Sequence, residues 1–267
     1  VKRRIFPALL LFILVGLSIA APSEENTERR SHRVEVNFLY ENLNPHDIYG
    51  SWANVLLSYY TRPKRGLTWF FQLGGFSRNV GDALLGVGGA YKDWGERLYT
   101  YTALAAGSDS AYLPKVRFDN DFNFKFGDKR NIVWTLGVTY INYHNTHKDL
   151  ILSSGITLYL PGWVTTYRIF RNKSDPGNIT SYSHLIDAAC GKEGKQWTNL
   201  TFSFGNQAYL ADYLAKPEEV NQDSIYLVLK HRRWIKEGWG ILGDISYFKL
   251  EDGYKKFGLS LGFFKGF

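Results

Sequence analysis

The stretch from Val116 to Phe126 puts Val116, Phe118, Phe122, Phe124 and Phe126 on alternate positions, with Arg117, Asp119, Asp121, Asn123 and Lys125 between them. In an extended strand successive side chains point to opposite faces, so this spacing builds one apolar row and one charged row. Only Asn120 breaks the apolar row. A helical period of 3.6 residues would mix the two sets around the axis. An apolar row of this length with a charged row behind it suits a wall between lipid and water.

The same grain recurs along the chain. Val34, Val36, Phe38 and Tyr40 oppose Glu35, Asn37 and Glu41; Leu67, Trp69, Phe71 and Leu73 oppose Thr68 and Gln72. Leu152, Ile156, Leu158 and Leu160 oppose Ser153, Gly155, Thr157 and Tyr159. Thr198, Leu200, Phe202 and Phe204 oppose Asn199, Thr201 and Ser203, and Ile225, Leu227 and Leu229 oppose Tyr226 and Lys230. Turn residues punctuate these runs and predict strands near 33–43, 51–62, 66–78, 82–93, 97–108, 114–126, 131–143, 149–160, 163–172, 178–190, 196–205, 223–233, 238–250 and 254–266. The expected fold is all-β: a single antiparallel up-and-down transmembrane β-barrel of about 14 strands. The segments 163–172 and 178–190 alternate least well, and without that hairpin the count falls to about 12.

Both ends of the chain fit this reading. Lys2, Arg3 and Arg4 precede an apolar run from Ala8 to Leu17, with small residues at Ser18-Ile19-Ala20. Residues 1–20 therefore read as a secretory signal, whose apolar run is too short to span a bilayer as a helix. Residues 21–32 form a polar tail, and 33–267 the barrel. In the last strand Phe257, Leu259, Leu261 and Phe263 alternate with Lys256, Gly258, Ser260 and Gly262 before Phe267. A strand of this kind ending on an aromatic is similar to the signal that outer-membrane barrels present to their assembly machinery.

Composition narrows the partners. The formal charge is +7, and about +4 (7 − 3) once Lys2, Arg3 and Arg4 are removed with the signal, too little to argue for nucleic acid. The single Cys190 excludes an intramolecular disulfide. No cofactor or metal is expected. Aromatics make up 16% of the chain, and Trp94, Trp163, Trp197, Trp234 and Trp239 all fall in or beside the even-numbered turns. Those turns are short, while the odd-numbered ones include Asn44 to Gly50, Ser108 to Leu113, Asn172 to Gly177 and the long Asn206 to Gln222. Short turns belong on the periplasmic side, which makes the five Trp a periplasmic aromatic girdle. Within Asn206 to Gln222, Tyr209, Leu210, Tyr213 and Leu214 recur as on one face of a short helix, ended by Pro217.

Inward charges, with the amide of Asn123, mark the candidate lumen: Glu35, Arg117, Asp119, Asp121, Asn123, Lys125, Lys230 and Asp244, with Glu41, Arg168 and Lys256 in the same register. Such groups must be paired or wet, and both signs are present, which argues against a strongly anion-selective pore. Catalysis has little support. Gly258-Leu259-Ser260-Leu261-Gly262 matches the G-x-S-x-G pattern, but that elbow needs a strand-to-helix turn and Ser260 sits mid-strand. His144 and His147, near Asn142, Asn145 and Asp149, form an H-x-x-H spacing in a loop, more often solvated than metal-binding.

The stretch Gly107-Ser108-Asp109-Ser110-Ala111-Tyr112-Leu113-Pro114 running into the Val116–Phe126 strand, the pacing of strands after it and the terminal strand resemble the YaiO-type outer-membrane barrel family over about residues 33–267. Lys265 departs from the pattern, standing where the terminal signal usually has an apolar residue. The resemblance implies the outer membrane of a Gram-negative bacterium and carries over no catalytic residue. Some similar proteins bear helical repeats ahead of the barrel or stand among surface-polysaccharide functions. The expected role is a pore-like or export-associated barrel for small polar or saccharide solutes. The alternatives are a non-conducting surface barrel acting through its outer loops and, less favoured, an envelope-modifying enzyme. Expected partners are outer-membrane lipids and lipopolysaccharide, the barrel assembly machinery through Phe257, Leu259, Leu261, Phe263 and Phe267, and saccharides.

Overall fold

A computed structural model describes residues 31–206 and 223–267. The strands are β1 (His32–Asn44), β2 (Ser51–Lys64), β3 (Leu67–Arg78), β4 (Gly81–Asp93), β5 (Leu98–Gly107), β6 (Pro114–Phe126) and β7 (Ile132–Tyr143). They continue as β8 (Lys148–Leu160), β9 (Trp163–Asp175), β10 (Ile179–Lys192), β11 (Gln196–Asn206), β12 (Asp223–Lys236), β13 (Trp239–Leu250) and β14 (Lys255–Gly266). Each pairs antiparallel with its sequence neighbours, and β1 pairs with β14 from Arg33↔Gly266 to Asn44↔Lys255, closing the barrel. Closure leaves no strand edge unpaired, the condition a sheet must meet in hydrocarbon. The signal segment and the short helix expected within 206–222 lie outside the described residues, apart from Asn206.

The poorly alternating hairpin is real. β9 and β10 pair from Cys190↔Trp163 to Ile179↔Ser174, which settles the count at 14 and removes the 12-strand alternative. Its connection corrects the loop expected at Asn172 to Gly177: β9 runs on to Asp175, leaving residues 176–178 as the turn. The reason is that Asn172 and Ser174 continue the inner row as buried polar residues, so polarity there marks the wall and not a loop. The turn at residues 79–80 is equally tight, so loop length separates the two ends less than expected. A four-residue helix, α1 (His46–Tyr49), lies in the first connection.

Outward and inward rows separate along each strand. In β14, Phe257, Leu259, Leu261 and Phe263 are exposed while Lys256, Gly258, Ser260 and Gly262 are buried. In β6, Val116, Phe118, Phe122 and Phe126 are exposed and Arg117, Asp119 and Asn123 buried. β1 begins and β14 ends at the same end of the barrel, called the terminal end. Three two-residue turns there close on Gly66, Gly162 and Gly238, at φ 76°, 74° and 75°. A side-chain-bearing residue would be strained at each.

Candidate functional site

The inner wall has three levels, counted from the terminal end. At the lowest, Glu35 on β1 is ion-paired with Arg33, 2.8 Å from its Nε, and accepts from Arg232 Nη2 on β12 at 2.6 Å. Tyr60 lies under the Arg33 guanidinium and Phe264 under that of Arg232. Lys125 reaches Asp93 at 3.2 Å.

At the middle level the pairs cross several strands. Arg168 on β9 donates through Nη1 and Nη2 to Asp121 on β6, at 2.8 and 2.6 Å, and to Ser153 on β8 at 2.6 Å. It passes over β7 at Gly137, where a Cβ would overlap Arg168 Nη2 and Asp121 Oδ1. Arg117 holds Asp119 through two bonds of 2.7 Å, and Thr139 donates to Asp119 at 2.6 Å. Asn123 accepts from Thr135, Asp187 accepts from Asn199 and Thr201, and Lys230 stands directly opposite Asp244. Ser260, fully buried, has Asn37 Oδ1 and Asp244 Oδ2 each 3.0 Å from its Oγ, two acceptors for its single hydroxyl proton, and no histidine of the described residues bonds to it.

At the far end Lys256 pairs with Glu41 at 2.9 Å over the rings of Trp52 and Phe248. The two loop histidines diverge: His144 contacts Gly107 O and Asp109, whereas His147 turns inward to Asp149 at 3.1 Å. Asp149 also accepts from Asn172 and Ser174. Among the described residues no group of three or more His, Cys, Asp or Glu is placed to hold a metal.

One arc of the wall is apolar, against the expectation of a lumen lined by polar groups. The inner faces of β3, β4 and β5 carry Phe70, Phe76, Ala83, Leu85, Val87, Tyr101, Ala103 and Ala105, all buried. The Phe70 and Tyr101 rings stack 5.8 Å apart at 1°. Strand β4 is apolar on both faces (Leu84 outward, Leu85 inward), so its sequence shows no alternation by which to assign a face. The wall is thus an aromatic and aliphatic arc facing an ion-paired polar arc.

The Trp residues divide between the faces. Trp94, Trp163 and Trp239 are exposed at the terminal end, and Trp69 and Trp134 join them there on the outer face. Trp234 packs edge-on against Phe264 of the inner wall, and Trp197 falls on the inner register with its Nε1 donating to Glu193. Phe267 stacks on His32, 5.5 Å between centroids, at the seam where β1 and β14 meet. Sequence reasoning missed Gly137, Trp52, Arg78 and Tyr112. Their importance lies in contacts between strands and loops far apart in sequence.

A closed 14-strand barrel with an apolar outside and a charged inside is an integral β-barrel of the Gram-negative outer membrane. Within that class the chain belongs to the family described as YaiO membrane beta barrel domain, whose model matches residues 31–210. Solved structures agree on the fold. The chain is similar to an anion-selective porin from Comamonas acidovorans, at 11% identity and TM-score 0.50, over 88% of this chain and 98% of that one. It is also similar to the CymD monoaromatic hydrocarbon channel, at 10% identity and TM-score 0.53, over 90% and 89%. A third is a bacterial polysaccharide outer membrane secretin, at 7% identity and TM-score 0.52, over 90% of this chain and 100% of that one. A search of the curated proteins returns no match.

Proposed function

We propose that this barrel is a narrow outer-membrane channel for small polar solutes, sugar-sized molecules included. The observation that carries the reading is the two-sided inner wall. Ion pairs such as Arg168–Asp121 and Lys256–Glu41 present donors and acceptors, while Tyr60, Phe70, Tyr91 and Tyr101 offer aromatic surface. Hydroxylated rings bind such surroundings through hydrogen bonds on their edges and apolar contact on their faces. Along the stretch of wall formed by these ion pairs the charges offset one another, so they favour neither a passing cation nor a passing anion. The likeness to porins and channels supports the reading at the level of fold, and an export role for saccharides is the neighbouring form of it.

The test is conductance of the purified protein in planar bilayers. Discrete steps are expected, with a reversal potential near zero in a KCl gradient. Asp121→Asn leaves Arg168 without its carboxylate and shifts the reversal potential toward anions. A second reading has its own support: inner-wall residues such as Thr201 and Ser260 are fully buried, as in a barrel that is shut and works through its outer loops. Silence at every voltage favours that second reading. In either case the outward Phe257, Leu259, Leu261 and Phe263, with Phe267, are proposed to meet the assembly machinery and then the membrane lipids.

A further inference from the structure

Arg78, at the far end of β3, is a buried cation without a counter-ion among the described residues. It is 8% exposed, on the inner face, between the rings of Trp52 and Tyr112, each centroid 4.2 Å from its Cζ. Tyr112 is itself fixed, its hydroxyl donating to Gly81 O at 2.8 Å. The two rings cover the faces of the guanidinium, but its N–H donors lie in the plane and point away from both rings. Nε and Nη1 are buried with no hydrogen-bond partner, and no carboxylate of the described residues pairs with the group. Every other inner-wall arginine described above has a carboxylate: Arg33 and Arg232 have Glu35, Arg117 has Asp119, and Arg168 has Asp121.

A second unsatisfied group lies beside it. Asn54 is 1% exposed, and neither its Nδ2 nor its Oδ1 has a partner among the described residues. It occupies the next inward position after Trp52 on β2, about 7 Å along the strand, opposite Phe76 on β3. Buried donors and acceptors are ordinarily satisfied, so two such residues on adjacent strands point to an absent ligand with a matching set of groups. The guanidinium rim calls for acceptor oxygens carrying negative charge. The amide, deeper in the wall, takes a hydroxyl as either donor or acceptor.

We propose that Arg78 and Asn54 form an entry site for an acidic, hydroxylated solute, a sugar bearing a carboxylate or a phosphate. The oxyanion sits on the rim of Arg78 and a hydroxyl reaches Asn54. Because Arg78 faces inward, the ligand comes from solution through the mouth and not from lipid headgroups packed against the outer wall. This deepens the channel reading by naming the charge of the solute, and it is tested by binding, so a silent bilayer recording leaves it standing.

The experiment is calorimetric titration of the full-length protein folded in detergent, at fixed ionic strength and low chloride, with glucuronate, inorganic phosphate, glucose and lipopolysaccharide in turn. Saturable binding of glucuronate or phosphate but not glucose is expected, weakened at least tenfold in Arg78→Gln and several-fold in Asn54→Ala. Folding of each variant is checked by its heat-modifiable migration in gels. If Arg78→Gln does not fold, Arg78→Lys replaces it. That variant keeps the charge, loses the planar rim, and is expected to bind at least fivefold more weakly. The proposal is overturned by the absence of saturable binding to both soluble anions, by binding to lipopolysaccharide alone, or by unchanged affinity in the folded Arg78 variant.

Discussion

Gly137 shows how a single absent side chain organises the lumen. Arg168 and Asp121 sit on strands separated by β7 and β8, and their pair forms because position 137 has no Cβ to occupy the space between them. Gly137→Val is expected to break the pair. With both partners about one-fifth exposed, the loss is about 1–2 kcal/mol, below the cost of breaking a fully buried pair. Urea unfolding in detergent measures it. The same substitution in an Arg168→Gln background is expected to cost much less, because there is no longer a pair to displace. At this scale the sequence was half legible. Period-two alternation places Arg168 and Asp121 on the inner face, since facing depends only on odd and even positions. Who pairs with whom depends on the register of four strands, and that is written in the closed barrel alone. Arg78 is the extreme case: its stacking partners come from β2 and from the loop before β6.

At the level of elements, β14 was legible in its bounds and its facing, whereas β4 was legible in its bounds but not in its facing, for one reason. β14 alternates large apolar residues with glycine, serine and lysine, so either its pattern or its terminus would identify it. β4 must be apolar outward for lipid and apolar inward for the Phe70–Tyr101 cluster, which erases the signal. The seam of β1 and β14 ends in a reciprocal pair of backbone bonds, His32 N to Phe267 O at 3.1 Å and Phe267 N to His32 O at 3.0 Å. The stacked His32 and Phe267 rings add to them. Two roles for Phe267 can therefore be told apart. Phe267→Ala keeps the backbone bonds and is expected to leave the folded barrel nearly as heat-resistant as before, yet to lower the amount inserted in the membrane several-fold. Deleting Phe267 removes ring and bonds together and is expected to lower both. Normal membrane levels in the deletion would sink the assembly role; the readouts are quantitative immunoblots of outer-membrane fractions and heat-modifiability.

For the whole molecule, the two ends differ in charge as well as in aromatic content. The terminal end carries Arg62, Lys64, Arg65, Lys92, Arg97, Lys129, Arg130, Lys192, Lys195, Arg233 and Lys236 against Asp93, Glu96, Asp128, Glu193 and Glu237. Among the described residues the far end comes close to balance, with Asp47, Asp82, Asp109, Asp175, Asp223, Glu251 and Asp252 against Lys115, Lys148, Arg171, Lys173, Lys249 and Lys255. Cations at the terminal end also stand over outward indoles: Lys92 Nζ lies 3.4 Å from the Trp94 ring centroid, and Lys265 Nζ lies 4.7 Å from that of Trp239. Indoles anchor at the headgroup level, and basic side chains beside them favour anionic phospholipid. Together with the tight glycine turns, these features argue that the terminal end faces the periplasm. Single cysteines test it in a Cys190→Ser background, because Cys190 is the one natural thiol. A membrane-impermeant maleimide is expected to label Val80→Cys, in the turn between β3 and β4, on intact cells. Lys129→Cys, between β6 and β7, is expected to react only after the outer membrane is permeabilised. The opposite pattern would invert the barrel in the membrane and move Arg78 from the entrance to the exit.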